Sequence, residues 1–257
     1  STRHELTDEQ WAVIEPLLPK PNPGPGRPPA DPRKTLNGIL YVLKTGCTWA
    51  DMPRQYGSPT TCWRRLKQWS EDGTWERIWR ALLSRMDAEE KIEGPKLFWM
   101  VDLFPPKKGN GIGKTKVGKG TKVMMVSDGN GVPIGLYLDS AHHHEIRLAE
   151  ATLKTVRVPQ RRGRPRTRPK ELVADKAYDS RSFRIWLRRR GIKPTIPTIQ
   201  RKSRKPRRGR PIRVGEGYRR RWIIERCFGW MNNYRRLVVR YDRYLHIYRA
   251  FCLIAFI

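Results

Sequence analysis

The sequence predicts an α/β protein: a mixed sheet flanked by helices, preceded by a small all-helical domain. Three observations predict it. Residues 1–93 place their apolar side chains at helical spacing. At Gly94-Pro95 the pattern changes to short apolar runs of strand type. Two of these runs flank Asp128-Gly129-Asn130-Gly131, a strong hairpin signal, and helix and strand patterns alternate after them. The resulting order, β-β-β-α-β-α-β-α, packs as a mixed sheet carrying helices. The expected domains are therefore 1–93 and 94–257.

In the helical part, Thr7 is the expected N-cap of a helix Asp8–Leu18, whose stripe is Trp11, Ile14, Leu17 and Leu18. Pro19–Pro32 reads as a Pro/Gly linker. Asp31 should cap a helix from Pro32 with Leu36, Ile39, Leu40 and Leu43 on one face, ended by Gly46. Two more helices follow, Pro59–Ser70 and Thr74–Glu90, the second carrying Trp75, Ile78, Trp79, Leu82 and Leu83. The sheet part reads as strands Lys96–Asp102, Gly120–Ser127 and Val132–Asp139, a helix His143–Val156 and a strand Glu171–Asp175. A basic helix Ser180–Arg190, a strand Lys193–Pro197 and a long helix from Gly217 complete it. The apolar end, Leu253–Ile257, reads as a packed final helix or a truncated one.

Charge narrows the partners. The chain has 54 Lys+Arg against 24 Asp+Glu, a net +30. Such a field draws polyanions, and nucleic acid is the expected one because each neutralised phosphate releases counterions. An anionic membrane surface is the rival, but no apolar run approaches the ~20 residues a membrane span needs, and no signal-peptide pattern is present. Residues 157–213 hold 22 Lys+Arg and three acids, net +19. Within them, loops 157–170 and 200–216 contain the same tetrapeptide, Arg162-Gly163-Arg164-Pro165 and Arg208-Gly209-Arg210-Pro211, with an echo at Gly26-Arg27-Pro28. Such a segment can lie in a narrow minor groove, because Gly lets the backbone approach and Arg enters the negative potential. A solvated basic loop is the plainer alternative. The four cysteines, Cys47, Cys62, Cys227 and Cys252, lack CxxC spacing. Neither a disulfide framework nor a zinc site is expected, and reduced thiols fit a cytoplasmic protein.

Acids are scarce, so those on apolar elements are informative. Asp102 ends the run Leu97–Val101, Asp175 ends Leu172-Val173-Ala174, and Glu225 lies within Trp222–Phe228. A charge at such a place is costly unless it binds something. Tyr218, Arg221 and Asn232 fall on the Glu225 helix face. Carboxylates converging on one point would hold Mg²⁺, and two ions about 4 Å apart support phosphodiester chemistry. A buried salt bridge is the alternative for each acid alone, and Arg221 can pair with Glu225. Asp128 is assigned to the hairpin turn, Asp179 to capping the helix at Ser180, and Asp8, Asp31 and Asp72 to caps or turns. Asp139, at a strand end, is the best outsider. His142-His143-His144-Glu145 points in several directions and is not read as a metal site.

Several segments together resemble the bacterial insertion-sequence DDE transposases, in the group numbered five. They are Asp102, Ile112–Lys116 through Gly131-Val132-Pro133, Ala174-Asp175-Lys176-Ala177-Tyr178-Asp179-Ser180, Tyr218–Arg226, Tyr234-Arg235-Arg236-Leu237 and Arg240-Tyr241. Leu6–Trp11, Gly46-Cys47-Thr48-Trp49 and Asp51-Met52-Pro53 resemble that group's helical N-terminal domain. The resemblance implies a ribonuclease-H-like catalytic domain with Asp102, Asp175 and Glu225 as catalytic metal ligands for two Mg²⁺ (or Mn²⁺) ions. Tyr218 and Arg221 are the supporting signature residues. It implies double-stranded DNA substrates, the terminal inverted repeats and a target duplex, hydrolysis followed by 3′-OH strand transfer, and a homodimer or larger synaptic assembly in the bacterial cytoplasm, at the nucleoid. DNA contacts are expected from Arg162, Arg164, Arg166, Arg208, Arg210, Lys176, Arg235 and Arg236, and from Arg64 and Arg65 in the N-terminal domain. Two positions depart from the pattern: Asn232 stands where the family often has Lys or Arg, and Leu103 follows the first Asp where many relatives have a small or hydroxyl residue. A catalytically inactive DNA-binding regulator and a nuclease of the same fold are the alternatives.

Overall fold

The computed structural model of the chain describes residues 4–20, 25, 28–107, 109–115, 118–141, 143, 145–199 and 215–257. Thr7 opens the first helix, α1 (Asp8–Ile14), through a capping box with Gln10. A single 3₁₀ turn, Glu15–Leu17, with Pro16 inside it, then replaces the rest of the expected helix. Asp31 caps α2 (Pro32–Thr45) by accepting the Arg33 and Lys34 N–H groups at 2.8 and 3.2 Å. Gly46 ends that helix at φ 71°, where a side chain would be strained. Helices α3 (Pro59–Glu71) and α4 (Thr74–Ala88) follow within a residue or two of expectation.

The chain forms two compact units, and they do not divide at residue 93. One comprises Ser1–Leu82, Phe104–Ile112 and Trp230–Ile257; the other comprises Leu83–Leu103 and Gly113–Gly229. In the first, the buried faces of α2 (Leu36, Ile39, Val42, Leu43), α3 (Leu66, Trp69) and α4 (Trp75, Ile78, Trp79) make a core. The apolar C-terminus is a packed helix, α10 (Leu245–Phe256), whose Phe251 stacks on Trp49 and whose Phe256 meets Trp79. The short helix α9 (Arg235–Val238) precedes it. Segment 104–112 is tied to 240–245 by backbone bonds at Pro105–Arg240, Lys107–Arg240 and Asn110–Arg243. Arg240 is fully buried there, donating to the Asp242 and Arg243 carbonyls at 3.0 and 3.1 Å. Gly109 is required for this contact: at φ 123°, a Cβ would lie 2.1 Å from the Arg243 carbonyl oxygen.

The second unit is built on β1 (Lys96–Phe104), β2 (Gly113–Thr115), β3 (Gly118–Ser127), β4 (Pro133–Ser140), β5 (Glu171–Val173) and β6 (Lys193–Thr195). Spatial order is β2-β3-β1-β5-β6, with β4 also paired to β3. β3 and β4 form the expected antiparallel hairpin, and β5 pairs parallel to both β1 and β6. The sheet is thus mixed, as the ribonuclease-H-like expectation requires, with helices α5 (Glu145–Lys154) and α6 (Arg181–Arg189) between its strands. Phe98 and Trp99 on β1 are essentially inaccessible to solvent, each worth about 2–3 kcal/mol of burial. Strand β2 was not expected; three residues carry too short a period to read. The long helix expected from Gly217 is broken into α7 (Glu216–Arg219) and α8 (Trp222–Met231). Among the described residues no helix is long and apolar enough to cross a membrane, and all four cysteines are free thiols.

Candidate active site

Parallel pairing of β1 with β5 positions the two aspartates. Lys96, Leu97 and Phe98 stand opposite Glu171, Leu172 and Val173. Carrying that register on sets Asp175 level with Met100, two residues short of Asp102. Directly paired residues share a sheet face and alternate residues return to it, so a strand continued in this register would set Asp175 on the face of Asp102. At strand spacings of about 3.3 and 4.8 Å, their Cα atoms are roughly 8 Å apart. β5 ends at Val173, but Asp175 keeps an extended backbone (φ −68°, ψ 161°) as it caps the 3₁₀ turn Lys176–Tyr178, accepting the Lys176 N–H at 2.5 Å. Tyr178 fixes this turn against Trp99, ring centroids 4.1 Å apart. Asp102 accepts the N–H of its neighbour Leu103 at 2.8 Å.

Glu225 comes from α8. Ile223, Ile224, Cys227 and Phe228 bury one side of that helix and leave Glu225 on the other. Within this unit the hairpin turn anchors the helix: the Cys227 thiol donates to the Gly131 carbonyl at 3.1 Å and Arg226 to the Asn130 carbonyl at 3.2 Å. Burial pushes the Cys227 thiol up to about 11, so it remains a protonated donor. At the break before α8, two consecutive arginines diverge. Arg220 makes a two-pronged pair with Glu93 (2.9 and 2.8 Å) and donates to the Gly129 carbonyl at 2.7 Å. Arg221 reaches Glu225 Oε1 at 2.5 Å and Asp175 Oδ2 at 3.7 Å, with its guanidinium 5.8 Å from the Tyr218 ring centre. The structure therefore joins Asp175, Glu225, Arg221 and Tyr218. Among the described residues no three His, Cys, Asp or Glu side chains are close enough to hold one metal ion, so Asp102 does not complete a ligand set.

The remaining expected residues fall into three groups. Arg162 and Arg164 are exposed at the tip of a small hairpin, where Val158 and Arg166 exchange both backbone bonds at 2.9 Å. Lys176, Arg235 and Arg64 are also exposed. Arg208 and Arg210 lie outside the described residues. Three expectations need correction or restriction. Arg236 is 7% exposed, paired with Asp242 at 2.9 Å and donating to the Cys47 carbonyl at 3.2 Å, so its guanidinium is committed inside the fold. Arg166 pairs with Asp87 at the hairpin base, and Arg65 lies over the Trp69 ring and donates to Gln68. Among the acids, Ser180 itself caps α6, while Asp179 pairs with Arg184 at 3.0 Å and accepts the Ile199 N–H. Asp139 pairs with His143 at 3.1 Å. Sequence reading missed the Glu93–Arg220 pair; the partners are distant in sequence, and no periodicity connects them.

Comparison with known families gives this geometry its context. A family described as "Transposase DDE domain" matches residues 92–257, well over half of the chain. The chain belongs to the DDE transposase family. Residues 6–79 match a second family, "Putative transposase of IS4/5 family". The chain is 47% identical over 94 residues to an uncharacterized 16.2 kDa protein of insertion element IS402 from Burkholderia cepacia, covering 34% of this chain and 64% of that one. It is 33% identical over 135 residues to a "Putative transposase for insertion sequence element IS402" of the same organism, covering 51% of this chain and 58% of that protein. The chain thus spans about three-fifths of the length of these relatives. A solved piggyBac transposase synaptic complex with hairpin DNA aligns at TM-score 0.42 and 12% identity, over 87% of this chain and 63% of that one. DDE transposases generally use divalent metal ions. The donors here fit such ions: Asp102, Asp175 and Glu225 offer only carboxylate oxygen, the ligand type of Mg²⁺, and two of them already converge on one positive group.

Proposed function

We propose that this chain is a DNA transposase that cuts phosphodiesters at the ends of its element and joins the resulting 3′-OH to target DNA. The observation that carries the proposal is the convergence of Asp175 and Glu225 on a single cationic group, Arg221. Asp102, Asp175 and Glu225 would hold two Mg²⁺ or Mn²⁺ ions, which when bound supply an activated water and stabilise the leaving oxygen.

The protein's own residues do the rest. In this reading the β1–β5 pair would carry the two aspartates, and the α8 anchors at Asn130 and Gly131 would hold Glu225 within reach of the group that Asp175 also meets. Tyr218 and Arg221 orient Glu225. Exposed Arg162, Arg164, Lys176 and Arg235 contact duplex phosphates or the minor groove, with Arg208 and Arg210 of the second basic loop in the same role. Residues 1–93, through Arg64, would recognise the inverted repeats. Synapsis of two ends implies a homodimer or larger assembly, working at the nucleoid in the bacterial cytoplasm.

The test uses duplexes carrying the element ends, with Mg²⁺ or Mn²⁺. Parent protein should release a 3′-OH and, given pre-cut ends, join them to target DNA; Asp102→Asn, Asp175→Asn and Glu225→Gln should each lower both steps by at least 10²-fold. Parent-like cleavage by these variants refutes the site. Cleavage without joining leaves a nuclease, and tight DNA binding with neither step leaves a DNA-binding regulator.

A further inference from the structure

Arg221 stands where its neighbours, on chemical grounds, call for a cation. Asp175 and Glu225 come from different elements yet reach one guanidinium, and carboxylates brought that near repel unless a positive charge lies between them. That charge is supplied from within the chain. The Arg221 guanidinium reaches Glu225 Oε1 at 2.5 Å and Asp175 Oδ2 at 3.7 Å, and its side chain is only 25% exposed. Its backbone N–H is bonded to the Tyr218 carbonyl at 3.0 Å, and the guanidinium lies beside the Tyr218 ring, so the side chain leaves its root in a fixed direction. The preceding Arg220 cannot substitute, being committed to Glu93 and Gly129.

We infer that Arg221 is a resident counter-ion: it holds Asp175 and Glu225 together in the metal-free protein and competes with a divalent ion for the same oxygens. The inference rests on those carboxylates being metal ligands. Arg221 is then a positioning residue with two opposed effects. It preorganises the carboxylates, and its charge weakens the hold of their oxygens on an ion. The guanidinium takes one lone pair of Glu225 Oε1 that an ion would use, and its charge 3.7 Å from Asp175 Oδ2 opposes the approach of a second cation, so the two compete.

The experiment measures Mn²⁺ binding to the intact chain without DNA, by the loss of the free-ion signal in electron paramagnetic resonance. Arg221→Gln should bind Mn²⁺ about fivefold to tenfold more tightly than the parent; tenfold is about 1.4 kcal/mol. Arg221→Lys, whose single ammonium cannot span both carboxylates, should fall between them and serves as the readout if the Gln variant does not fold. Arg226→Gln removes the same charge one residue from Glu225, but its guanidinium faces the Asn130 carbonyl and the Trp222 ring; it should change affinity less than twofold, separating direct competition from net charge. Parent-like or weaker Mn²⁺ binding by Arg221→Gln overturns the inference, as does an equal gain in Arg226→Gln. Asp175→Asn and Glu225→Gln are titrated alongside. If they leave Mn²⁺ binding unchanged, the metal-ligand reading itself fails; if they weaken it while Arg221→Gln matches the parent, only the counter-ion role fails.

Discussion

Adjacent arginines with opposite surroundings give the sharpest test of how this basic chain divides its charge between structure and binding. Arg235 is exposed, whereas the Arg236 side chain is 8% exposed against an Asp242 side chain that is 5% exposed. Arg236→Met keeps most of the side-chain volume but removes the bonds to Asp242 at 2.9 and 3.3 Å and to the Cys47 carbonyl at 3.2 Å. It also strips the cation from beside Tyr241 and Phe251. The change breaks a buried ion pair, which typically costs about 3–5 kcal/mol, the lower end being expected here because the buried Arg240 charge also interacts with Asp242. Against a total of about 5–15 kcal/mol, that is a large fraction of the stability. Urea unfolding followed by tryptophan fluorescence should show the loss, and adding Asp242→Asn should recover part of it. Arg235→Ala should leave the unfolding midpoint unchanged and instead flatten the salt dependence of DNA binding by about 0.9 in log–log slope. The reasoning is refuted if Arg236→Met unfolds within about 0.5 kcal/mol of the parent, a change of ordinary surface size, or weakens DNA binding at parent stability.

Further expectations follow from other sites. Changing Arg162 and Arg164 together to Ala should reduce the salt slope of duplex binding by about 1.8, with no change in fold by circular dichroism; an unchanged slope removes the hairpin tip from the DNA interface. Arg220 holds the Glu93 carboxyl below its usual range, so the pair's contribution is present above the unfolded-state value and is lost as pH falls through the lowered folded value. Because both partners are partly exposed, Glu93→Gln should cost no more than about 1 kcal/mol at neutral pH, and the difference should vanish in acid. Asp128 runs the other way. Burial raises its carboxyl despite bonds from the backbone N–H groups of Val132, Glu93, Asn130 and Gly131, so its contribution shrinks as pH rises from the unfolded value through the raised folded one. A pH series of unfolding midpoints on Asp128→Asn should therefore converge with the parent at the acid end. Gly109→Ala should free segment 104–112, because the new methyl would meet the Arg243 carbonyl at 2.1 Å; protease cleavage within 104–112 in the variant alone is the readout.

Much of this architecture is legible in the sequence because local chemistry dictates it. Thr7, Asp31 and Gly46 mark helix ends through capping and left-handed geometry, and Asp128-Gly129-Asn130-Gly131 marks the hairpin. The two aspartates stand out because each follows an apolar strand, and Glu225 because it interrupts an apolar helix. What is not legible depends on distant partners. Nothing in the string Tyr234-Arg235-Arg236 distinguishes the exposed arginine from the buried one; Asp242 and the Cys47 carbonyl decide that. The break at Arg220-Arg221 is equally hidden, since both residues favour helix and Glu93, Asp175 and Glu225 redirect them. The packing of 104–112 and 230–257 into the helical unit rests on backbone pairing that side-chain periodicity does not record.

The central claim, that Asp102, Asp175 and Glu225 form one metal-dependent centre, is tested most directly by a crystal of the chain soaked in Mn²⁺ and measured for anomalous scattering. The account predicts manganese peaks ligated by oxygens of all three carboxylates, with the Arg221 guanidinium displaced from Asp175 and Glu225. Peaks ligated elsewhere, or none among these side chains in a crystal that binds Mn²⁺ at other carboxylates, would contradict it.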